Sequence, residues 1–374
     1  MARLGDVCTI VSGSTPKSNV PEYWDGDIKW ITPAELDQGT YIINDSVRHI
    51  TELGVAKTGL KPFPQGTVIL SSRAPIGKTA IAGCEMYCNQ GFKNLICSDK
   101  INPRYLYWFL TCNTEYLNSL GRGATFKEIS KEIVANIEIP LPNMEQQLSI
   151  AEKFEKISKL IALRKEQLVK LDQLVKSRFI ELSNEWGCEA TPLQEFLDDI
   201  TYGFTNPMPD AEEGPWKITA KDVVNGRINF DTARKTTLQA YEELTAKSKP
   251  DIGTVLLTKD GTLGRCAVVE EDGICVNQSV AVLKCNKKIL PKFLAILLQM
   301  PEYQREMLKN AGGGTIKHIY ITKVVDMMVM VPDVSQQLEF LSFVEQTDKS
   351  KLAIQQSLDK LELLKKSLMQ EYFG

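Results

Sequence analysis

The sequence predicts an α+β fold: two similar mixed α/β domains, separated by two long antiparallel helices that form a coiled coil. Three observations predict it. First, the chain is written twice. PLPNMEQQLSIAEKFEKISKLIALRKEQLVKLDQLVKSRF from Pro140 returns from Met330 as MVPDVSQQLEFLSFVEQTDKSKLAIQQSLDKLELLKKSLM, an offset of 190 residues (140 to 330). Second, these two segments carry heptad seams. Third, short β-rich runs (VCTIVSG, GTVILSS, TAIAG, NIEIPLP) broken by Gly, Pro and Asn turns precede them. A period this long is a duplicated domain-plus-helix and not a solenoid.

The long segments come first. Ile150, Phe154, Ile157, Ile161, Leu168, Leu171, Val175 and Leu182 follow alternating steps of four and three, with Arg164 and Arg178 filling the seam. The second segment repeats the register: Phe340, Val344, Thr347, Lys351, Ile354, Leu358, Leu361, Lys365, Leu368 and Tyr372. At about 40 residues, each seam is ~60 Å long. Asn143 and Asp333 are N-cap candidates, with Gln146 and Gln336 placed as in a capping box, and Pro142 and Pro332 keep the preceding chain extended. Two such seams in one chain can bury each other, and their mismatched polar positions favour one register. A second stripe (Leu160, Leu163 and Leu174 on one helix; Leu341, Phe343, Leu352 and Leu364 on the other) is left for partner helices.

The predicted boundaries are 1–142 for the first domain, 143–186 for the first long helix, 187–332 for the second domain and 333–374 for the second helix. The domains echo each other as well. GTVILSSRAPIGKTAI from Gly66 returns as GTVLLTKDGTLGRCAV from Gly253, CNQGFKNL from Cys88 as VNQSVAVL from Val276, and WITPAEL from Trp30 as WKITAKDV from Trp216. Each has an apolar stretch suited to a helix after a proline, PRYLYWFLTC from Pro103 and PKFLAILLQM from Pro291.

Composition narrows the class. The 374 residues, 43% hydrophobic and 24% charged, suit two ordinary globular domains. No apolar run approaches the ~18 residues of a membrane span, and MARLGDVCTI lacks a secretory core, so a cytoplasmic protein is expected. Nine scattered cysteines without a CxxC pair point to reduced thiols. Cys84, Cys88 and Cys97 come closest to a metal cluster, but His49 and His318 lie at no ligand-like spacing, so no metal is expected. Net charge is −3, and residues 1–142 carry 14 basic and 14 acidic side chains against 17 and 20 in 187–333. A nucleic-acid partner would therefore be held by local patches or with help from another subunit.

Catalytic constellations are missing. There is no GxGxxG after a strand, no P-loop and no GxSxG elbow. Asn102-Pro103-Arg104-Tyr105 lacks the second proline of an adenine-methyltransferase motif and reads as a turn into the Pro103 helix. Pro250-Asp251 lacks the following acidic and lysine residues of a nuclease. Two glycine-rich stretches, Gly121–Thr125 and Gly312–Ile319, occupy equivalent places; either their amides with Arg122, Lys127, Lys317 and Lys323 receive phosphate, or they are flexible turns with solvated basic flanks.

These residues resemble the specificity subunits of type I restriction–modification systems along essentially the whole chain. The resemblance rests on the tandem of domain and long helix, and on GSTP (Gly13–Pro16), WIT at Trp30, SRAPIG (Ser72–Gly77) and NQGF (Asn89–Phe92). GATFKEIS and IPLPNMEQQ complete it. The second repeat departs from it, with GFTNP at Gly203, KDGTLG for SRAPIG and NQSV for NQGF. The resemblance implies a non-catalytic subunit with two target-recognition domains. Each would read half of a bipartite, asymmetric double-stranded DNA target, while the helices space the half-sites and dock two modification subunits. S-adenosylmethionine, ATP and magnesium would belong to modification and restriction partners, and this chain would need no cofactor.

If the half-sites differ, residues common to both domains cannot carry the difference. Asn89/Asn277, Gln90/Gln278 and Gly77/Gly264 are then scaffold or common backbone contacts. Base readers belong in divergent stretches: Lys17–Lys29 against Asn206–Lys217, and Thr40–Lys61 against Arg227–Lys249. The DNA-binding candidates are Lys17, Lys29, Arg73, Lys78, Arg122 and Lys127 in the first repeat. In the second they are Lys217, Arg227, Lys259, Arg265, Lys317 and Lys323. Two other classes compete: a DNA-modifying enzyme with divergent motifs, and a coiled-coil scaffold with two protein-binding domains. Methyl-donor binding by the purified chain would favour the first of these. Neighbouring genes for a methyltransferase and a translocase would count against the second.

Overall fold

The structure is a computed structural model that describes residues 1–37, 39–73, 75–123, 127–309, 311–312 and 317–374. The chain forms two compact units, residues 1–166 with 355–374 and residues 167–354. Each unit therefore holds one globular repeat together with part of each long helix.

In the first unit a five-stranded sheet runs in the order Cys8–Val11, Asn94–Cys97, Val68–Leu70, Thr79–Ala82, Ile42–Ile43. Its last strand is parallel to its neighbour and the other pairs are antiparallel. Val68–Leu70 and Thr79–Ala82 are buried at every position, because both faces of the sheet are covered. Val68, Leu70 and Leu95 face one core with the helix Pro103–Cys112, while Ile69, Ala80 and Ala82 face another with Ile31, Phe63 and Phe92. A three-stranded sheet, Arg48–Ile50, Trp24–Ile31, Tyr87–Cys88, completes the unit.

The second unit repeats this plan. Leu197–Tyr202, Val280–Cys285, Val255–Thr258 and Cys266–Val268 form a four-stranded antiparallel sheet. Val255 and Leu257 face the core that holds Phe293, and Leu256, Val280 and Val282 face the core that holds Ile218 and Val276. Its three-stranded sheet is Arg234–Lys235, Ala211–Ile218, Ile274–Val276. In both small sheets the middle strand pairs antiparallel on one side and parallel on the other. One turn explains a shared glycine: a Cβ at Gly13 would lie 1.8 Å from the Cys88 carbonyl oxygen, and one at Gly203 1.7 Å from that of Val276.

The long helices span Met144–Glu185 and Val334–Phe373. The first begins with the expected capping box: Asn143 Oδ1 accepts from Gln146 N at 2.9 Å, and Asn143 N donates to Gln146 Oε1 at 3.2 Å. At the second, Asp333 accepts from Gln336 N and Ser335 N. The neighbouring glutamines tie each helix to its domain. Buried Gln147 donates to Lys100 O (3.0 Å) and Pro142 O (2.9 Å) and accepts from Asn102 N (2.8 Å). Gln337 repeats all three, to Lys288 O (2.8 Å), Pro332 O (2.9 Å) and from Leu290 N (2.8 Å).

Within each unit the helix segments pair antiparallel. In the first, Phe154 stacks on Phe373 at 5.5 Å and Lys165 pairs with Glu362 at 3.0 Å. In the second, Asp172 pairs with Lys351 at 2.7 Å and Phe179 meets Phe340 edge-on at 5.6 Å. The predicted seam residues are all buried or half-buried. Phe179, outside that seam, is fully buried beside half-buried Arg178, because here the helix packs on Trp186 and Phe293 as well as on its partner. Among the described residues no helix is long and apolar enough to cross a membrane, all nine cysteines are free, and no three His, Cys, Asp or Glu gather as a metal site.

Candidate nucleic-acid interface

The divergent stretches converge on the small three-stranded sheets. In the first unit Trp24, from Lys17–Lys29, lies beneath the guanidinium of Arg48, from Thr40–Lys61, at 3.6 Å from the ring centre. Trp24 also meets Trp30 edge-on at 5.1 Å. In the second unit Trp216, from Asn206–Lys217, lies beneath the ammonium of Lys235, from Arg227–Lys249, at 4.7 Å. A cation over an indole face is attracted by the ring quadrupole, by about 0.5–1 kcal/mol where exposed. Arg48 is exposed above Trp24, whereas exposed Arg234, next to Lys235, is paired with Asp210 at 2.8 Å; a planar guanidinium suits base edges and phosphates.

The registers correct one detail of the repeat. Ile31 pairs with Cys88 and Ile218 with Val276, so Trp30 corresponds to Lys217 and Lys29 to Trp216. The two tryptophan motifs are offset by one residue, which puts the rings on opposite faces of equivalent strands. Trp30 is accordingly buried, while Trp216 is half-buried beneath Lys235.

Several predicted cations are internally engaged. Lys29 donates to Asn44 O at 2.7 Å, and Lys78 to Pro33 O at 3.1 Å. Arg73 lies 3.7 Å from Glu128. Lys217 pairs with Asp210 at 2.5 Å, and Lys259 with Asp260 at 2.7 Å. Lys217, with Arg234 also at 2.8 Å, holds the Asp210 carboxyl below the usual carboxylate range. Arg265 donates to Val223 O at 3.3 Å from an exposed position. The exposed side chains of Lys17, Arg122, Lys127, Arg227, Lys317 and Lys323 have no hydrogen bond or ion pair among the described residues.

The two glycine-rich stretches fall partly outside the described residues, at 124–126 and 313–316, as does Ala74 of SRAPIG. On either side of them Arg122 and Glu128 exchange backbone hydrogen bonds of 3.0 and 2.9 Å, as do Gly312 and His318 at 3.0 and 2.7 Å. Glu128 also bridges to Arg73, and His318 to Asp260, so Lys127 and Lys317 each precede a residue paired on both sides. Asn89 and Asn277 are scaffold: their side chains receive Gly91 N and Ser279 N, at 2.8 and 3.1 Å. Gly77 and Gly264 have φ of 95° and 77°, a conformation that favours glycine. Gln90 and Gln278 are exposed.

Residues that pattern reading passed over include Arg48, Arg234 and buried Lys93. Arg48 and Arg234 lay inside the divergent stretches already singled out. Lys93 had a signal too, since it breaks the NQGFKNL repeat where the second copy has Ala281. On the helices, Leu160, Leu163, Leu174, Leu352 and Leu364 are exposed, whereas Leu341 and Phe343 are half-buried against the second unit's core.

Known proteins resemble this chain. The pattern of the type I restriction modification DNA specificity domain matches residues 1–173 and 200–364. The type I restriction enzyme MjaIX specificity subunit of Methanocaldococcus jannaschii is 38% identical over 200 residues, which span 52% of this chain and 45% of that one. The EcoBI specificity subunit of Escherichia coli is 24% identical over 83% of this chain and 75% of its own. A chain solved in work on complex assembly and conformational transition of the type I R-M system has a TM-score of 0.68 at 19% identity. It covers 100% of this chain and 96% of its own. The S subunit from M. genitalium gives 0.55 at 15% identity, with 100% and 95% covered. At these identities the solved structures speak for the fold.

Proposed function

Because the chain belongs to the type I restriction–modification DNA specificity family, we propose that each of its units reads one half of a bipartite DNA target and that the chain itself performs no chemistry. One observation supports this above the others. The stretches that differ between repeats meet on the small sheets, through Trp24 with Arg48 and Trp216 with Lys235, while shared residues such as Gln147 and Gln337 hold the scaffold. Exposed Arg48 and Arg227 hydrogen-bond base edges in the major groove, and Lys17, Lys127 and Lys317 meet phosphates. With a net charge of −3 the chain does not hold DNA by bulk charge, so partner subunits share the phosphate contacts.

Those partners are two modification subunits whose helices cover Leu160, Leu163, Leu174, Leu352 and Leu364, which are among the exposed apolar side chains of the long helices. They bring S-adenosylmethionine and methylate adenine, and a restriction subunit brings ATP and magnesium. The test is a single-base map of adenine methylation in cells that express the chain with its modification subunit. The expected result is one asymmetric motif with an unspecified gap, lost when the chain is omitted. Methylation that persists without the chain, or methyl-donor binding by the chain alone, would overturn the reading.

A further inference from the structure

In the first unit Glu128 is held by two cations. Arg73 lies 3.7 Å away, and the buried ammonium of Lys93 lies 3.0 Å from Glu128 Oε1 and 3.3 Å from Ser72 Oγ. In the second unit the positions equivalent to Arg73 and Glu128 are Asp260 and His318. Both pairs are joined by isolated antiparallel bridges, and Ile129 N and Ile319 N donate to Ser72 O and Lys259 O at 3.0 and 2.8 Å. There acid and base change places: His318 Nδ1 lies 2.6 Å from Asp260 Oδ1, and Lys259 Nζ lies 2.7 Å from Asp260 Oδ2.

A second exchange accompanies the first. The ammonium comes from Lys93 in one unit, where the neighbour is Ser72. In the other it comes from Lys259 at the serine's position, and the lysine's position holds Ala281. Four positions have changed, and an acid gripped by an ammonium and a second basic group survives. A largely buried ammonium is stable only beside an acid, so Lys93 and Lys259 each need the carboxylate that faces them. The side chains of Lys93, Lys259 and Asp260 are only 9%, 16% and 17% exposed.

What each pair ties down is the same in both units. Glu128 and His318 close bridges with residues 122 and 312, and each follows an exposed lysine at the same place, Lys127 and Lys317. We propose that these acid–base clamps are positioning residues, which fix Lys127 and Lys317 for a DNA phosphate contact common to both half-sites. The proposal rests on the DNA-reading function above. The clamps touch no base and select no sequence; they set affinity alone.

The test uses the full chain assembled with its modification subunit, and duplexes that carry the mapped target or the target with one half-site scrambled. Glu128→Gln lowers affinity for the intact target about tenfold, the size of one lost charge-assisted contact, and lowers the salt slope by about one. Lys127→Ala does the same, and the two losses do not add, because both remove one contact. The ratio between intact and scrambled duplexes and the methylated motif stay unchanged. Arg73→Asp alone weakens binding, and Arg73→Asp with Glu128→His, which rebuilds the second unit's pair beside Lys93, restores affinity to within about threefold.

A fully additive Glu128→Gln and Lys127→Ala pair would overturn the clamp, as would an altered methylation motif or a double exchange no better than Arg73→Asp. Lys127→Ala, which removes no clamp contact, keeps the test valid where a clamp variant fails to fold. If the unaltered complex does not distinguish the intact from the scrambled duplex, the failure belongs to the DNA-reading function and not to the clamp.

Discussion

Gln147 and Gln337 make the same three hydrogen bonds in the two units, down to the proline carbonyl each one reaches. The small three-stranded sheets of the same two units are built differently. The first centres on two tryptophans under an arginine, with Trp24, Trp30, Ile50 and Leu60 as its own small core. The second centres on a carboxylate, Asp210, which holds Lys217 and Arg234 together. The difference teaches where a duplicated reader is free to change. Buried polar ties leave orphaned partners when altered, so they are retained. A small sheet flanking the central one can be repacked without disturbing it.

The largest test of this contrast lies at the helix contacts. Phe154→Ala in the first unit and Phe179→Ala in the second should each cost about 3–5 kcal/mol, since both are fully buried among other rings. Hydrogen exchange should show each change deprotecting its own unit first; equal loss in both units would mean that they unfold as one. Gln147→Ala and Gln337→Ala should each cost about 2–3 kcal/mol, because two carbonyls and one amide lose a buried partner. The losses should match within about 1 kcal/mol in denaturant titrations, and a clear inequality would break the equivalence of the two ties.

Smaller effects follow at the surfaces. Leu163→Glu should abolish co-purification of the modification subunit with a change in melting temperature of only a degree or two, about 0.5 kcal/mol, since this side chain is 45% exposed. Leu341→Glu should destabilise the chain itself, because Leu341 packs on the second core. The least effect is expected from acid. Asp210 has a lowered pKa in the fold, so the stability it lends is present above the unfolded carboxylate value of ~4 and is lost as pH falls through the folded one. Exchange at residues 211–218 should quicken as the solution is acidified below about pH 4, and Asp210→Asn should remove that response. An acid response that survives in Asp210→Asn would contradict the role given to this carboxylate.

The parts of this fold that were legible in the sequence are those with local causes. Heptad spacing, the Asn143 and Asp333 caps and the Pro103 helix each depend on residues within a few positions of one another, and all three are present as expected. What the sequence concealed depends on distant partners. Nothing near Lys93 announces Glu128, and nothing near Asp260 announces His318. The one-residue offset between Trp30 and Trp216 was hidden for another reason. Both central strands carry register irregularities, between Trp24 and Ile28 and between Ala211 and Trp216, which pattern matching passes over. The interface was half visible. Divergence between repeats marked the right stretches, but charge alone did not separate Lys217, held by Asp210, from Arg227, which is free among the described residues.

The central claim is that the repeats read separate half-sites through their divergent sheets. The direct measurement is to replace residues 1–142 with the corresponding domain of a specificity subunit of different target, and to map adenine methylation at single-base resolution. One half of the motif should change, while the other half and the gap stay as they were. A map in which both halves change, or neither, would contradict the account.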